Sequence, residues 1–265
     1  ITEECQRRPV SARLKRDENG QYHQDFEALE KACSDPLNKI FILCSPHNPV
    51  GRIWTEEELR QIIEICQKHR VLLISDEVHA DLIRSDQRHV PILKLDSDYP
   101  YIIMLYGISK SFNCAGLQCA NALIPDARLR AQFKNVLGPH APTPFALAAQ
   151  IAAYSEEGEA WLEALKQYLD ENLRLVIRLF KEELPEVKVN YPEGTYLLWF
   201  DFSALGLSDG EIHRLIYDEA HVILQDGLHH DPEGGACFQR MCVASPRPMI
   251  EEAARRIIKV LKSAR

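Results

Sequence analysis

The chain has 265 residues, 46% of them hydrophobic, with 31 Lys and Arg against 39 Asp and Glu and a formal net charge of −8. That length and apolar content provide for one large or two ordinary domains with a sizeable core. The acidic balance argues against nucleic acid or an anionic membrane surface as the main partner. No run approaches the roughly 20 apolar residues of a membrane span, and no signal peptide is evident, so no membrane partner is expected. The eight cysteines form no CxxC pair and no regular framework, as free thiols in a reducing cytoplasm do. Cys237 and Cys242 lie near His229, His230 and Asp231, but no second pair at metal-ligand spacing accompanies them, so no metal site is expected.

In chain order, Asp17-Glu18-Asn19-Gly20 reads as a turn, and Phe26, Leu29 and Ala32 then fall at helical spacing. The run Lys39–Cys44 reads as a buried strand ending in the loop Ser45-Pro46-His47-Asn48-Pro49-Val50-Gly51, which either holds the Asn48 side chain rigidly or merely redirects the chain. Thr55 and Glu58 form a capping box for a helix reaching about His69, with Leu59, Ile62, Ile63 and Cys66 inward. A second buried strand, Val71–Ser75, leads into Asp76-Glu77-Val78-His79-Ala80-Asp81, and strand, helix, strand in this order implies a parallel sheet. Asp76 reads equally as a functional carboxylate or as the cap of a following helix.

A third apolar run, Tyr101–Tyr106, precedes Gly107-Ile108-Ser109-Lys110-Ser111-Phe112. A lysine at such a strand end stands where open α/β sheets bind ligands, and an amine in a partly desolvated pocket can form a Schiff base with a carbonyl. An ordinary surface lysine is the competing reading. Beyond it come a short strand, Cys119–Ile124, a helix from about Asp126, a Pro-rich loop at 138–144 and an Ala-rich helix, Phe145–Tyr154. The composition shifts near Ser155-Glu156-Glu157-Gly158, which predicts a domain boundary, with a large domain over 1–155 and a smaller α/β domain over 156–265. A long helix from Glu159 to about Leu184 opens that second part. Strands at 187–189, 196–200, 222–224 and 239–243, a helix over 208–220 and a terminal helix from Pro248 to about Ser263 follow.

Asn48, Asp76 and Lys110 each follow a separate buried strand, so a parallel sheet would bring all three to one edge. At this point the chain resembles the fold-type I pyridoxal 5′-phosphate (PLP) enzymes of the class I/II aminotransferase superfamily, through Asn48-Pro49-Val50-Gly51, Ser75-Asp76-Glu77-Val78-His79 and Ser109-Lys110-Ser111-Phe112. His47, His79, Gly116-Leu117-Gln118 and Gly194-Thr195-Tyr196-Leu197-Leu198-Trp199 are similar to its carbon–sulfur β-lyase branch, which includes cystathionine β-lyases. The resemblance implies an α/β fold with a three-layer, mostly parallel large domain, truncated at its N-terminus, and a smaller C-terminal α/β domain. It also implies a homodimer.

For the site, the resemblance implies that Lys110 forms the Schiff base with PLP and then moves the substrate Cα proton. Asp76 would hold the ring nitrogen protonated, Asn48 would bond the phenolic oxygen, and His79 and Ser109 would contact the cofactor, Ser109 at its phosphate. Arg247 would bind the α-carboxylate of a small amino-acid substrate, cystathionine or another S-substituted cysteine. An aminotransferase using the same residues is the alternative, and a non-catalytic fragment a further one. Gly107 and Gln118 depart from the phosphate-binding residues of many relatives. The chain begins at Ile1 without Met, and the aromatic ring-stacking residue and Gly-Thr/Ser turn that relatives carry upstream are not found in it, so a fragment with weak or no PLP binding and no activity alone is expected.

Overall fold

The computed structural model describes residues 5–139 and 141–264, so residue 140 of the expected Pro-rich loop lies outside the described residues. The chain forms two compact units: the first runs up to Pro46 and adds Ile53–Asp81 and Arg88–Gly158, and the second comprises His47–Arg52, Leu82–Gln87 and the chain from Glu159 onward.

In the first unit, a two-stranded ribbon of β1 (Lys15–Arg16) and β2 (Tyr22–His23) precedes α1 (Phe26–Ser34). The main sheet contains β3 (Ile40–Cys44), β4 (Leu72–Asp76), β5 (Ile102–Tyr106) and β6 (Asn121–Leu123) in that spatial order. β3, β4 and β5 are parallel, with Cys44 opposite Asp76 and Asp76 opposite Leu105. The strand expected at 119–124 is shorter and runs antiparallel to β5, which makes the sheet mixed. Only two single turns, α4 (Ile108–Ser111) and a 3₁₀ turn (Ala115–Leu117), lie between β5 and β6, with no crossover helix to carry a parallel return.

Between β3 and β4, α2 (Glu56–His69) begins with the complete Thr55/Glu58 capping box and stops at Arg70, whose left-handed backbone caps the last turn. Its Leu59, Ile62, Ile63, Ile65 and Cys66 join Leu29, Leu43, Leu73, Trp54, Ile92 and Ile102 in one core, with Ile92 at the start of α3 (Ile92–Leu95). That core covers one face of the sheet, whereas Ile40 and Ile42 of β3 point the other way and are 52% and 61% exposed. α5 (Ala127–Leu137) and α6 (Pro144–Ala153) complete the unit, and α7 (Glu156–Glu183) starts at its end.

The second unit is built on an antiparallel sheet, β7 (Lys188–Val189), β8 (Leu197–Asp201), β10 (Phe238–Cys242) and β9 (Gln225–Asp226) in spatial order. Leu198, Phe200 and Met241 face the core with Leu173, Val176 and Phe180 of α7, Ile212 of α8 (Asp209–Arg214) and Ile257 and Ile258 of α9 (Arg247–Ser263). Alternation places Trp199 and Arg240 on the opposite face. The helix expected over 208–220 is α8 continued by a π-helical turn, Leu215–Glu219. The strand expected at 222–224 is irregular chain with Ile223 80% exposed, and pairing starts instead at Gln225.

Candidate active site

Two parallel strand ends in the first unit place the reactive candidates. Hydrogen bonds from Ser45 N to Asp76 O (3.0 Å) and from Glu77 N to Leu105 O (2.8 Å) continue the ladder past β4, so the backbone at Asp76 is held from both sides. Turns, not a helix, follow Asp76, and its Oδ1 accepts only a long bond from Val78 N at 3.3 Å. It therefore caps nothing. Burial raises the Asp76 carboxyl above the ordinary carboxylate range, while the Val78 N–H and the positive charge of Lys110 act in the opposite direction.

Lys110 sits in α4, four residues beyond the end of β5. Ile108 and Ser111 anchor that turn, the first in the core and the second through Ser111 Oγ donating to Asp81 Oδ2 at 2.9 Å, while Ser109 and Lys110 are half-buried. The glycine at 107 has a packing reason, since a Cβ there would come within 3.2 Å of Ala120 Cα. Gln118 ends the 3₁₀ turn in the left-handed region (φ 48°) and is exposed. His79 is buried, at 4% exposure. Beside Asp76, the buried Glu77 accepts from Ser75 Oγ (2.8 Å) and Ile92 N (3.0 Å) through Oε1 and meets His89 Nε2 through Oε2 (2.7 Å).

Asn48 and Arg247 belong to the second unit. Asn48 Oδ1 accepts from Arg240 Nη1 at 2.9 Å, and the loop behind it is fixed by Gly51, whose amide oxygen accepts from Gly194 N at 3.0 Å. Arg52 binds both carboxylate oxygens of Glu193, at 2.6 and 2.8 Å. Arg247 opens α9. Its Nε donates to Asn172 Oδ1 (2.9 Å), its Nη2 pairs with Glu171 (2.5 Å), and its guanidinium lies over the Tyr168 ring at 4.5 Å. Asn172, wholly buried on α7, also donates to the carbonyls of Val243 and Ser245, both at 3.0 Å.

The structure thus joins Asp76, Ser109 and Lys110 on neighbouring elements of the first unit, and gives Asn48 and Arg247 separate settings in the second. Asn172, Arg240, Glu77 and His89 were not singled out from the sequence. A polar residue on the otherwise apolar inner stripe of α7 was the available signal for Asn172, and a charged residue inside a strand was the signal for Arg240. Among the described residues, no three His, Cys, Asp or Glu side chains gather as a metal-holding group.

A mixed sheet whose adjacent parallel strands β4 and β5 lead to a carboxylate and an amine, followed by an antiparallel α/β unit, defines an α/β protein of the PLP-transferase type of fold. A sequence profile of the family "Aminotransferase class I and II" matches residues 3–257, and the chain belongs to that family. It is 40% identical over 245 residues to "Cystathionine beta-lyase PatB" of Bacillus subtilis (strain 168), an alignment covering 91% of this chain and 63% of that protein. It is 31% identical to "Protein MalY" of Escherichia coli (strain K12), over 91% of this chain and 62% of the relative. The crystal structure of cystalysin from Treponema denticola, which contains a pyridoxal 5′-phosphate cofactor, superposes with a TM-score of 0.94 at 32% identity, covering 99% of this chain and 67% of that one. The chain therefore spans somewhat less than two thirds of the length of these curated relatives.

Proposed function

We propose that the protein is a PLP-dependent carbon–sulfur β-lyase that cleaves cystathionine or a related S-substituted cysteine by α,β-elimination. The observation that carries this reading is the placement of Asp76 at the end of β4 and of Lys110 in the turn α4 that follows the adjacent parallel strand β5, where the lysine's charge acts on the half-buried carboxylate. Similarity to the lyases named above supports the choice of reaction.

The donor set fits the cofactor. A carboxylate that burial has left with one long hydrogen bond suits a protonated ring nitrogen, and an amine at the neighbouring strand end suits an aldehyde carbon. Once bound, PLP would supply the electron sink for the pair released at Cα. Lys110 Nζ would hold the cofactor covalently until substrate displaces it, then take the Cα proton. Asp76 would keep the ring proton in place. Asn48 would donate from its amide to the phenolic oxygen, Ser109 would donate to the phosphate, and His79 would complete the cofactor's surroundings. In the elimination the Cα–H bond breaks to Lys110, the Cβ–S bond breaks with its electron pair leaving on sulfur, and hydrolysis of the three-carbon remainder yields pyruvate and ammonia.

The carboxylate clamp expected at Arg247 goes in this proposal to Arg240. Arg247 already has Glu171, whereas Arg240 is half-buried with an amide partner, and burial lowers its pKa. A cytoplasmic homodimer is part of the same reading. Among the described residues, no helix is long and apolar enough to cross a membrane. The family's name keeps aminotransfer as the second reading. Incubation of the whole protein with PLP and L-cystathionine, without any 2-oxo acid, separates them: homocysteine and pyruvate are expected, and a strict requirement for a 2-oxo acid would establish the aminotransferase instead.

A further inference from the structure

Arg240 stands in the middle of a cross-strand row on the face of the second unit's sheet opposite its core, paired with Trp199 of β8 and Gln225 of β9. His230 sits over that row. Its Nε2 is 3.2 Å from Gln225 Oε1, and its ring meets Trp199 edge-on, with centroids 5.7 Å apart. Because Gln225 Oε1 is an acceptor, the imidazole proton resides on Nε2 and the Nδ1 lone pair is available to a proton.

The loop that carries His230 is fixed in place. His230 N and Asp231 N both donate to Gly227 O at 2.9 Å, and Gly235 N donates to Asp231 O at 2.8 Å. Gly227 and Gly235 lie back to back so closely that a Cβ on Gly227 would come within 2.1 Å of Gly235 O. A histidine held this rigidly beside a guanidinium shares its field.

We propose that His230 takes up a proton when a carboxylate-bearing small molecule binds at Arg240, so that anion binding in the second unit is proton-linked and tightens as the pH falls. This rests on the reading of Arg240 as the carboxylate clamp. The charged and titratable neighbours of His230 are Arg240, His229 and His47. Burial, then Arg240 and then His229 hold the His230 imidazole down to about 4, and burial together with His230 holds His47 down to about 4. A bound carboxylate cancels the Arg240 field and attracts the imidazolium. The bound-state pKa therefore rises, and the affinity must rise as pH falls through it.

The test uses the full chain, formate as the probe at constant ionic strength, and histidine side-chain NMR from pH 5 to 8, where formate stays ionised. Saturating formate is expected to raise the His230 titration by about two pH units, into that window, and its Kd to fall roughly tenfold from pH 8 to pH 5. H230F, which keeps a ring against Trp199, is expected to bind formate with a Kd independent of pH. R240A is expected to abolish binding. Formate binding that needs Arg240 yet leaves the His230 titration and the pH dependence flat would overturn the proton linkage and leave the clamp standing. Formate binding absent from the wild type, or unchanged in R240A, would overturn the clamp and the linkage together. If H230F does not fold, the wild-type titration alone decides.

Discussion

Glu77 and His89 meet at 2.7 Å with their side chains only 2% and 6% exposed, and the same carboxylate also receives Ser75 Oγ and the Ile92 amide. One buried acid thus ties the end of β4 to the start of α3, directly beside Asp76. Removing one member leaves the other without its partner in a site that water does not reach.

E77A is therefore expected to destabilise the protein by about 3–5 kcal/mol, whereas the apolar double replacement E77L/H89F should cost less than E77A alone. Chemical denaturation of the three proteins checks this. A double variant less stable than E77A would show that the pair does more than satisfy itself.

Asp76 carries the opposite kind of cost. Its pKa is raised in the fold from an ordinary value of 3.8. The folded state then holds more protons than the unfolded state between those two values, so this carboxyl makes stability fall as pH rises through that window, and at neutral pH the full cost applies. D76N keeps the acceptor for Val78 N and removes the charge. In the cofactor-free protein it is expected to melt at or above the wild-type temperature at pH 7, with the gap closing below about pH 4. A D76N protein less stable at pH 7 would mean that the attraction of the Lys110 charge for the Asp76 carboxylate outweighs desolvation.

Arg240 and Arg247 should separate in kinetics. R240A is expected to raise KM for the amino-acid substrate by roughly two orders of magnitude, the scale of a lost buried charge pair. R247A should change KM only a few-fold and lower thermal stability, because Asn172 loses a partner at the start of α9. The reverse pattern in steady-state measurements would return the clamp to Arg247.

Gly51 has φ +74°, and a Cβ there would lie 2.3 Å from Pro192 Cβ. G51A is expected to cost about 1–2 kcal/mol for the left-handed backbone alone, with the clash adding to it. Since Gly51 closes the loop that carries Asn48, it should also weaken PLP retention, measured by equilibrium dialysis. An unchanged melting temperature would contradict the tight approach of the two backbones.

The buried strands of the first unit and the capping box of α2 could be read from residues 39–106 because apolar runs and Thr55/Glu58 are local signals. Lys110 and Asp76 were visible for the same reason, each marking a strand end. What was not visible depends on partners distant in sequence. The antiparallel return of β6 is set by pairing with β5, and β9 is two polar residues whose strand character exists only through β10. Asn172 and Arg240 find their partners 71 and 192 residues away, so a local pattern marks each as out of place in its element but does not name what it bonds. His89 lies in a polar stretch, and only the fold shows it facing Glu77.

The central claim, that Lys110 is the residue to which PLP attaches, is tested most directly by loading the whole protein with PLP, reducing it with borohydride and mapping the adduct by peptide mass spectrometry. The phosphopyridoxyl mass is expected on Lys110, and K110A should carry none. An adduct on another lysine of the wild type, or no adduct after saturation with PLP, would contradict the account.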